Sequence, residues 1–141
     1  MKLTNNIAQS IFEANFAPEG DYELVIDEVK VKSDIELEKF DDEHGNLTIV
    51  VNFSILDKEY EGYKVKSVFS IFNENNKQVA LAMRRTFSTM LLSAGLSDKD
   101  FESDFDTDNL ISKKVKAHVI KEPAKNNFPA YNKASYFLIK Q

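Results

Sequence analysis

Apolar and polar residues alternate along several stretches of this chain and take up a helical period in one. Tyr22, Leu24 and Ile26 alternate with more polar neighbours, and Val29 and Val31 then alternate in the opposite phase up to Lys32. Successive strand residues point to opposite faces, so the slip at Asp27-Glu28 predicts a β-bulge in a long, curling strand. A second strand runs from Leu47 to Ile55, where Leu47, Ile49, Val51, Phe53 and Ile55 share one face. Thr48, Asn52 and Ser54 take the other, with Val50 the apolar exception. Glu61-Gly62 supplies a turn into a third strand, Tyr63 to Phe72. From Lys77 to Ala94 the period changes: Val79, Met83, Phe87, Met90, Leu91 and Ala94 recur at three and four, an apolar stripe that leaves Arg84 and Arg85 off it. Asn75 or Asn76 is placed to cap this helix and Gly95 to stop it. Val115, Ala117 and Val119 face inward on a fourth strand, Lys113 to Lys121, and Lys114, Lys116 and His118 face outward. A loop from Glu122 to Ala130 holds Pro123 and Pro129 and leads to a fifth strand, Tyr131 to Lys140.

Three strands, a helix and two strands predict a mainly β fold: a five-stranded OB-fold-like Greek-key barrel with one α-helix between strands 3 and 4. A long bulged first strand suits a barrel in which it takes part in both halves, and the helix stripe would plug one open end. A split barrel or an α+β sandwich shares the same element order. The 141 residues make one domain, 17–141, preceded by an N-terminal extension, 1–16, in which Ile7 to Phe12 suits a short helix. No apolar run reaches the ~18 residues of a membrane span, and Met1 to Ser10 lacks the apolar segment of a secretory leader. The expectation is a cytoplasmic protein with no membrane partner.

Composition removes most catalytic classes. With no cysteine there are no disulfides, thiolate metal sites or thiol nucleophiles. His44 and His118 are isolated, and the four glycines are too dispersed for a phosphate-cradling loop. Asp104, Asp106 and Asp108 alternate like the start of a calcium loop, but Asn109 stands where glycine is required and Val115 where the closing glutamate belongs. Carboxylates on a loop also lack the fixed geometry of two-metal hydrolysis. A solvated loop anchored by Phe101 and Phe105 is the simpler reading. Neither an enzyme nor a cofactor is expected.

The net charge is −5, unevenly spread. Residues 98–108 carry six acids and one base, whereas residues 109–141 carry seven lysines against the single Glu122. Binding a single nucleic-acid strand needs cations for phosphates and aromatic faces for bases. The 4–5 loop and its borders hold Lys121, Lys125, Phe128, Tyr131 and Lys133, and Phe128 has little core to fill in a Pro/Asn-rich loop. Lys64 and Lys66 share a face of strand three, which Val68, Ser70 and Phe72 continue if the strand has no bulge; Phe69 belongs to the core. Lys114 and Lys116 form a similar pair on strand four. Against these stands the 1–2 connection, acidic through Asp34, Glu36, Glu38, Asp41, Asp42 and Glu43. The competing function is a protein-interaction or assembly module on the same barrel.

Several phrases also resemble a known family. They are Ala17-Pro-Glu-Gly-Asp-Tyr-Glu-Leu-Val-Ile-Asp-Glu-Val29, Ile55-Leu56-Asp57 with Tyr60, Gly62 and Val65, Leu91-Leu92-Ser-Ala94-Gly95, and Tyr131-Asn132-Lys133. Together they resemble bacteriophage single-stranded DNA-binding proteins long catalogued as a domain of unknown function. The resemblance implies an OB-fold and sequence-tolerant binding of single-stranded DNA in phage replication or recombination, inside an infected bacterium. Phage or host replication and recombination proteins, and a homo-oligomer, are the further partners it allows. The chain departs from many single-strand binders in ending Phe137-Leu-Ile-Lys-Gln141, without an acidic tail.

Overall fold

In a computed structural model, which describes residues 1–139, five strands close into a barrel with the order β1-β2-β3-β5-β4 and back to β1. The strands are β1 (Gly20–Ser33), β2 (Asn46–Ile55), β3 (Lys64–Asn73), β4 (Lys114–Glu122) and β5 (Tyr131–Leu138). Helix α1 (Asn5–Glu13) precedes the barrel, and α2 (Lys77–Ser93) stands between β3 and β4. All pairings are antiparallel except β3 with β5, which run parallel and meet at Lys66 and Lys133. This is the expected OB-like arrangement; the predicted end of strand five at Lys140 lies outside the described residues.

β1 pairs with β4 from Gly20 to Val25 and with β2 from Leu24 to Ser33, with Asp27 as the extra residue between Ile26 and Glu28. The sequence slip is therefore a bulge. The inner faces of the strands bury Leu24, Ile26, Val51, Phe53, Val65, Phe69, Val115 and Val119 almost completely. Phe53 and Phe69 each pack against Phe137, with ring centroids 5.8 and 6.2 Å apart, and Phe69 continues to Phe87 of α2 at 5.1 Å. Leu47, Ile49 and Ile55 complete the alternation on β2.

Asn76 caps α2, its side-chain oxygen accepting from the Val79 N–H at 3.1 Å, and Gly95 ends it with φ +89°. Ala80, Met90 and Leu91 are buried, whereas Val79 is 39% exposed. The packed face keeps Phe87, Met90, Leu91 and Ala94 of the predicted stripe but begins at Ala80 rather than Val79 and takes in Arg84. Arg84 therefore belongs to the packed face: its guanidinium lies 4.9 Å from the Phe72 ring and its Nη2 2.6 Å from Asp42. The small Ala80 permits close approach, and the apolar stem of Arg84 packs while its head reaches a carboxylate.

Residues 14–19 lead from α1 into the barrel. Ala17 is buried, its N–H donating to Asn132 Oδ1 at 2.9 Å and its carbonyl accepting from Asn132 Nδ2 at 3.0 Å. Asn132 is itself 3% exposed, so the first residue of the expected domain is fastened to β5 by a buried amide with its hydrogen bonds made. α1 has no buried residue. Among the described residues no helix is long and apolar enough to cross a membrane.

Where β1 meets β4, His118 lies between two carboxylates, Nδ1 2.7 Å from Asp21 and Nε2 3.2 Å from Glu19, and stacks on Tyr136 at 4.9 Å. The Asp21 hydrogen bond, joined by Glu19 and opposed by partial burial, raises the imidazole above its ordinary 6.5. A raised folded-state value means that this contribution is fully present below the ordinary value and is lost as pH rises through the raised one. Thermal melts should show the barrel losing stability as pH rises above the ordinary imidazole value of 6.5, with His118→Gln flattening that slope. An unchanged slope in the variant would assign the dependence to other groups. Asp34 and Asp41, both lowered from 3.8 chiefly by backbone N–H groups, act in a separate acidic window.

Candidate nucleic-acid interface

The bulge at Asp27 puts Val29 and Val31 in register with the buried Val51 and Ile49, Val29 packing on the core and Val31 42% exposed near the strand end. It turns Lys30 and Lys32 to the other face. They align with the outward residues of β2 and β3 in rows set by the register. Glu28, Asn52 and Lys66 form one row, Lys30, Val50 and Val68 the next, and Lys32, Thr48 and Ser70 the third. The first row extends across the parallel seam to Lys133. The paired valines Val50 and Val68 of the middle row, set between polar rows, are a surface on which a flat, partly apolar group can rest.

The β4–β5 hairpin rises beside these rows. Its tip is a tight turn, with Lys125 and Phe128 exchanging N–H to carbonyl hydrogen bonds of 3.1 and 2.8 Å. Asn126 takes φ +50°, a left-handed conformation that asparagine tolerates. Pro123 and Pro129 restrict the flanks. The turn holds Phe128 out from the body, 71% exposed.

Three contiguous hollows follow, and Lys66 lines all of them. One of about 460 Å³ lies between Asp27, Lys64 and Tyr131, and another of about 330 Å³ lies under Phe128 between Glu122 and Tyr131. A third, about 400 Å³, runs along Lys30, Lys32, Val50 and Val68 to Phe128. They make one groove across the outer faces of β1, β2 and β3, walled by the hairpin.

Its electrostatics are mixed but locally basic. Lys64 lies 3.6 Å from Asp27, Lys30 3.1 Å from Glu28, and Lys125 3.6 Å from Glu122. These lysines are 61–78% exposed, where such pairs are weak and readily exchanged for other partners. Lys32 and Lys66 have no carboxylate within ion-pair distance among the described residues. Lys66 instead sits 4.4 Å over the Tyr131 ring. One face of Tyr131 is thus covered, and burial, followed by the Glu122 carboxylate, raises its phenol above 10 and keeps it protonated. Phe128, by contrast, leaves its ring open to solvent.

Of the residues expected from sequence, Lys64, Lys66, Lys125, Phe128 and Tyr131 line the groove, and Lys133 adjoins Lys66 across the seam. Lys114 and Lys116 pair with Val25 and Glu23 on the outer face of β4 and line none of the three hollows. Phe72 does not continue the Lys64–Lys66 face. Ile71 is an extra residue in β3, so Phe72 registers with the inward-facing Leu47 and stacks on Phe40 at 5.2 Å. Lys121 is turned toward the N-terminal segment, paired with Glu13 and lying over the rings of Phe16 and Phe12 at 4.7 and 5.6 Å. Lys30 and Lys32 are the additions, and the phase change at Asp27 was the signal for them.

The acidic 1–2 connection folds back toward α2. Asp42 pairs with Arg84 and Glu43 with Lys77, while Asp34 accepts from the Asn46 N–H at 2.7 Å. Gly45, at φ +89°, lies so close to Ile35 and Phe40 that a Cβ would sit 2.5–2.7 Å from them, which packs this connection tightly. None of its carboxylates lines the groove. Phe101 and Phe105 contact each other at 4.9 Å in the 98–108 segment, and no group of three His, Asp or Glu that could hold a metal occurs among the described residues.

The closed barrel, the helix between β3 and β4 and the groove on β2–β3 define an OB-like barrel protein. A family model described as a protein of unknown function (DUF669) matches residues 4–137, and the chain belongs to that family. No curated protein matches it.

Because Lys121 holds α1 rather than the groove, Lys121→Ala should speed proteolytic clipping within residues 1–16 while leaving the barrel's melting temperature nearly unchanged. Unaltered protection, read by mass spectrometry after limited digestion, would mean that the Tyr63 hydroxyl's 2.9 Å bond to the Ala14 carbonyl suffices.

Proposed function

We propose that this protein binds single-stranded DNA without strong sequence demands, through lysine–phosphate contacts and base stacking, and that it catalyses no reaction. The observation that carries the reading is the continuous groove centred on Lys66, with Lys30, Lys32, Lys64 and Lys125 along it and Phe128 exposed at its wall. A flexible strand can present its phosphates to the lysines and an unstacked base to Phe128, whereas a duplex keeps its bases stacked and paired. The resemblance of Ala17–Val29 and Tyr131–Lys133 to phage single-strand binders supports the same reading. On this proposal the protein acts in phage DNA replication or recombination in the host cytoplasm.

Fluorescence anisotropy of a labelled thymidine oligomer, with duplex as competitor, tests this. Five groove lysines at about 0.7 counterions per phosphate predict a log K against log salt slope of about −3.5. Phe128→Ala should weaken binding about tenfold with no loss of thermal stability, since the side chain is 71% exposed. Absence of binding at low salt would overturn the reading in favour of an assembly module.

A further inference from the structure

The hollow beneath Phe128 has a polar feature that phosphate binding and stacking leave unused. Glu122 ends β4 with its side chain 21% exposed, lining the same hollow as Phe128 and Tyr131. Its Oε1 lies 3.6 Å from Lys125 Nζ, and among the described residues no N–H or O–H donates to the carboxylate. In a groove for a polyanion, a carboxylate on the wall opposes binding by charge. A partner that donates hydrogen bonds to it would compensate, and an exposed ring beside it can hold a flat partner in place.

The geometry points to a base-reading pocket in which Glu122 and Lys125 select guanine. This rests on the single-strand reading above and adds a preference within it. An ionised carboxylate only accepts hydrogen bonds, and an ammonium only donates. Guanine's pairing edge presents an acceptor, O6, followed by two donors, N1–H and the 2-amino group. Lys125 beside Glu122 supplies the complementary order, a donor next to a two-oxygen acceptor. Cytosine and adenine each offer one amino donor on that edge. Thymine offers two carbonyl acceptors flanking one N–H, so its oxygens would face carboxylate oxygens. A site that leaves polar groups unpaired with the wrong base discriminates against it strongly. The volume of about 330 Å³ suits one unstacked base, with Phe128 as its platform.

Thymidine oligomers of about twelve nucleotides, carrying one central guanine, cytosine or adenine or none, separate this preference from binding itself. The guanine oligomer should bind about tenfold more tightly than the all-thymine one. Glu122→Gln places an amide donor beside Lys125 and should bring that ratio close to one, even as loss of the negative charge raises affinity for both. Lys64→Ala should weaken both oligomers and leave the ratio intact. Equal binding of all four oligomers, or a guanine preference that survives Glu122→Gln, overturns the inference and leaves single-strand binding standing. Failure to bind any oligomer removes both.

Discussion

Strand β1 pairs with β4 through Gly20–Val25 and with β2 through Leu24–Ser33, and the extra residue at Asp27 lets one strand do both. Without it, the alternation set by Tyr22, Leu24 and Ile26 would carry Val29 off the core and turn Lys30 and Lys32 to the barrel side. A period of two makes every slip an exchange of faces. The bulge thus decides core membership and groove charge together. Asp27 also ties the neighbouring strands to the kink, accepting from the Ser54 hydroxyl and lying 3.6 Å from Lys64.

The strands that alternate cleanly were legible because one face of each meets the core and the other meets water. β2 is the clearest case, with five buried positions in strict alternation. The bulge at Asp27 was legible for the same reason, since alternation resumes on both sides of it. The bulge at Ile71 was not: Val68, Phe69, Ile71 and Phe72 are apolar on both faces, so the phase carries no mark, and the face that would carry Lys64 and Lys66 on to Phe72 in an unbulged strand breaks there. On α2, hydrophobicity favoured Val79 over Ala80 and excluded Arg84, although close approach needs a small residue and a long cation can lie along a buried face. Spacing could not say which end of β4 the Lys121 side chain would meet, because its Glu13 partner lies 108 residues away.

Local charge, rather than the total, governs what this surface attracts. The protein is acidic by five charges, and its 1–2 connection is among its most acidic stretches. Several of those carboxylates are occupied within the fold, by Arg84, by Lys77 and by backbone N–H groups. The groove carries three carboxylates of its own, each beside a lysine, while Lys32 and Lys66 have no such partner among the described residues. Exposed pairs of this kind cost little to rearrange.

The parallel seam between β3 and β5 meets in register at one position, Lys66 and Lys133, and is reinforced by side chains. The Ser67 hydroxyl donates to the Ala134 carbonyl at 2.7 Å, and Lys66 leans on Tyr131. The groove crosses this seam, with Lys66 and Val68 on one bank and Phe128 and Tyr131 on the other. A ligand touching both banks acts as a staple where the hydrogen-bond ladder is thin. Occupancy and closure of the barrel are then thermodynamically linked, so a filled groove raises the melting temperature by mass action and slows amide exchange along β3 and β5.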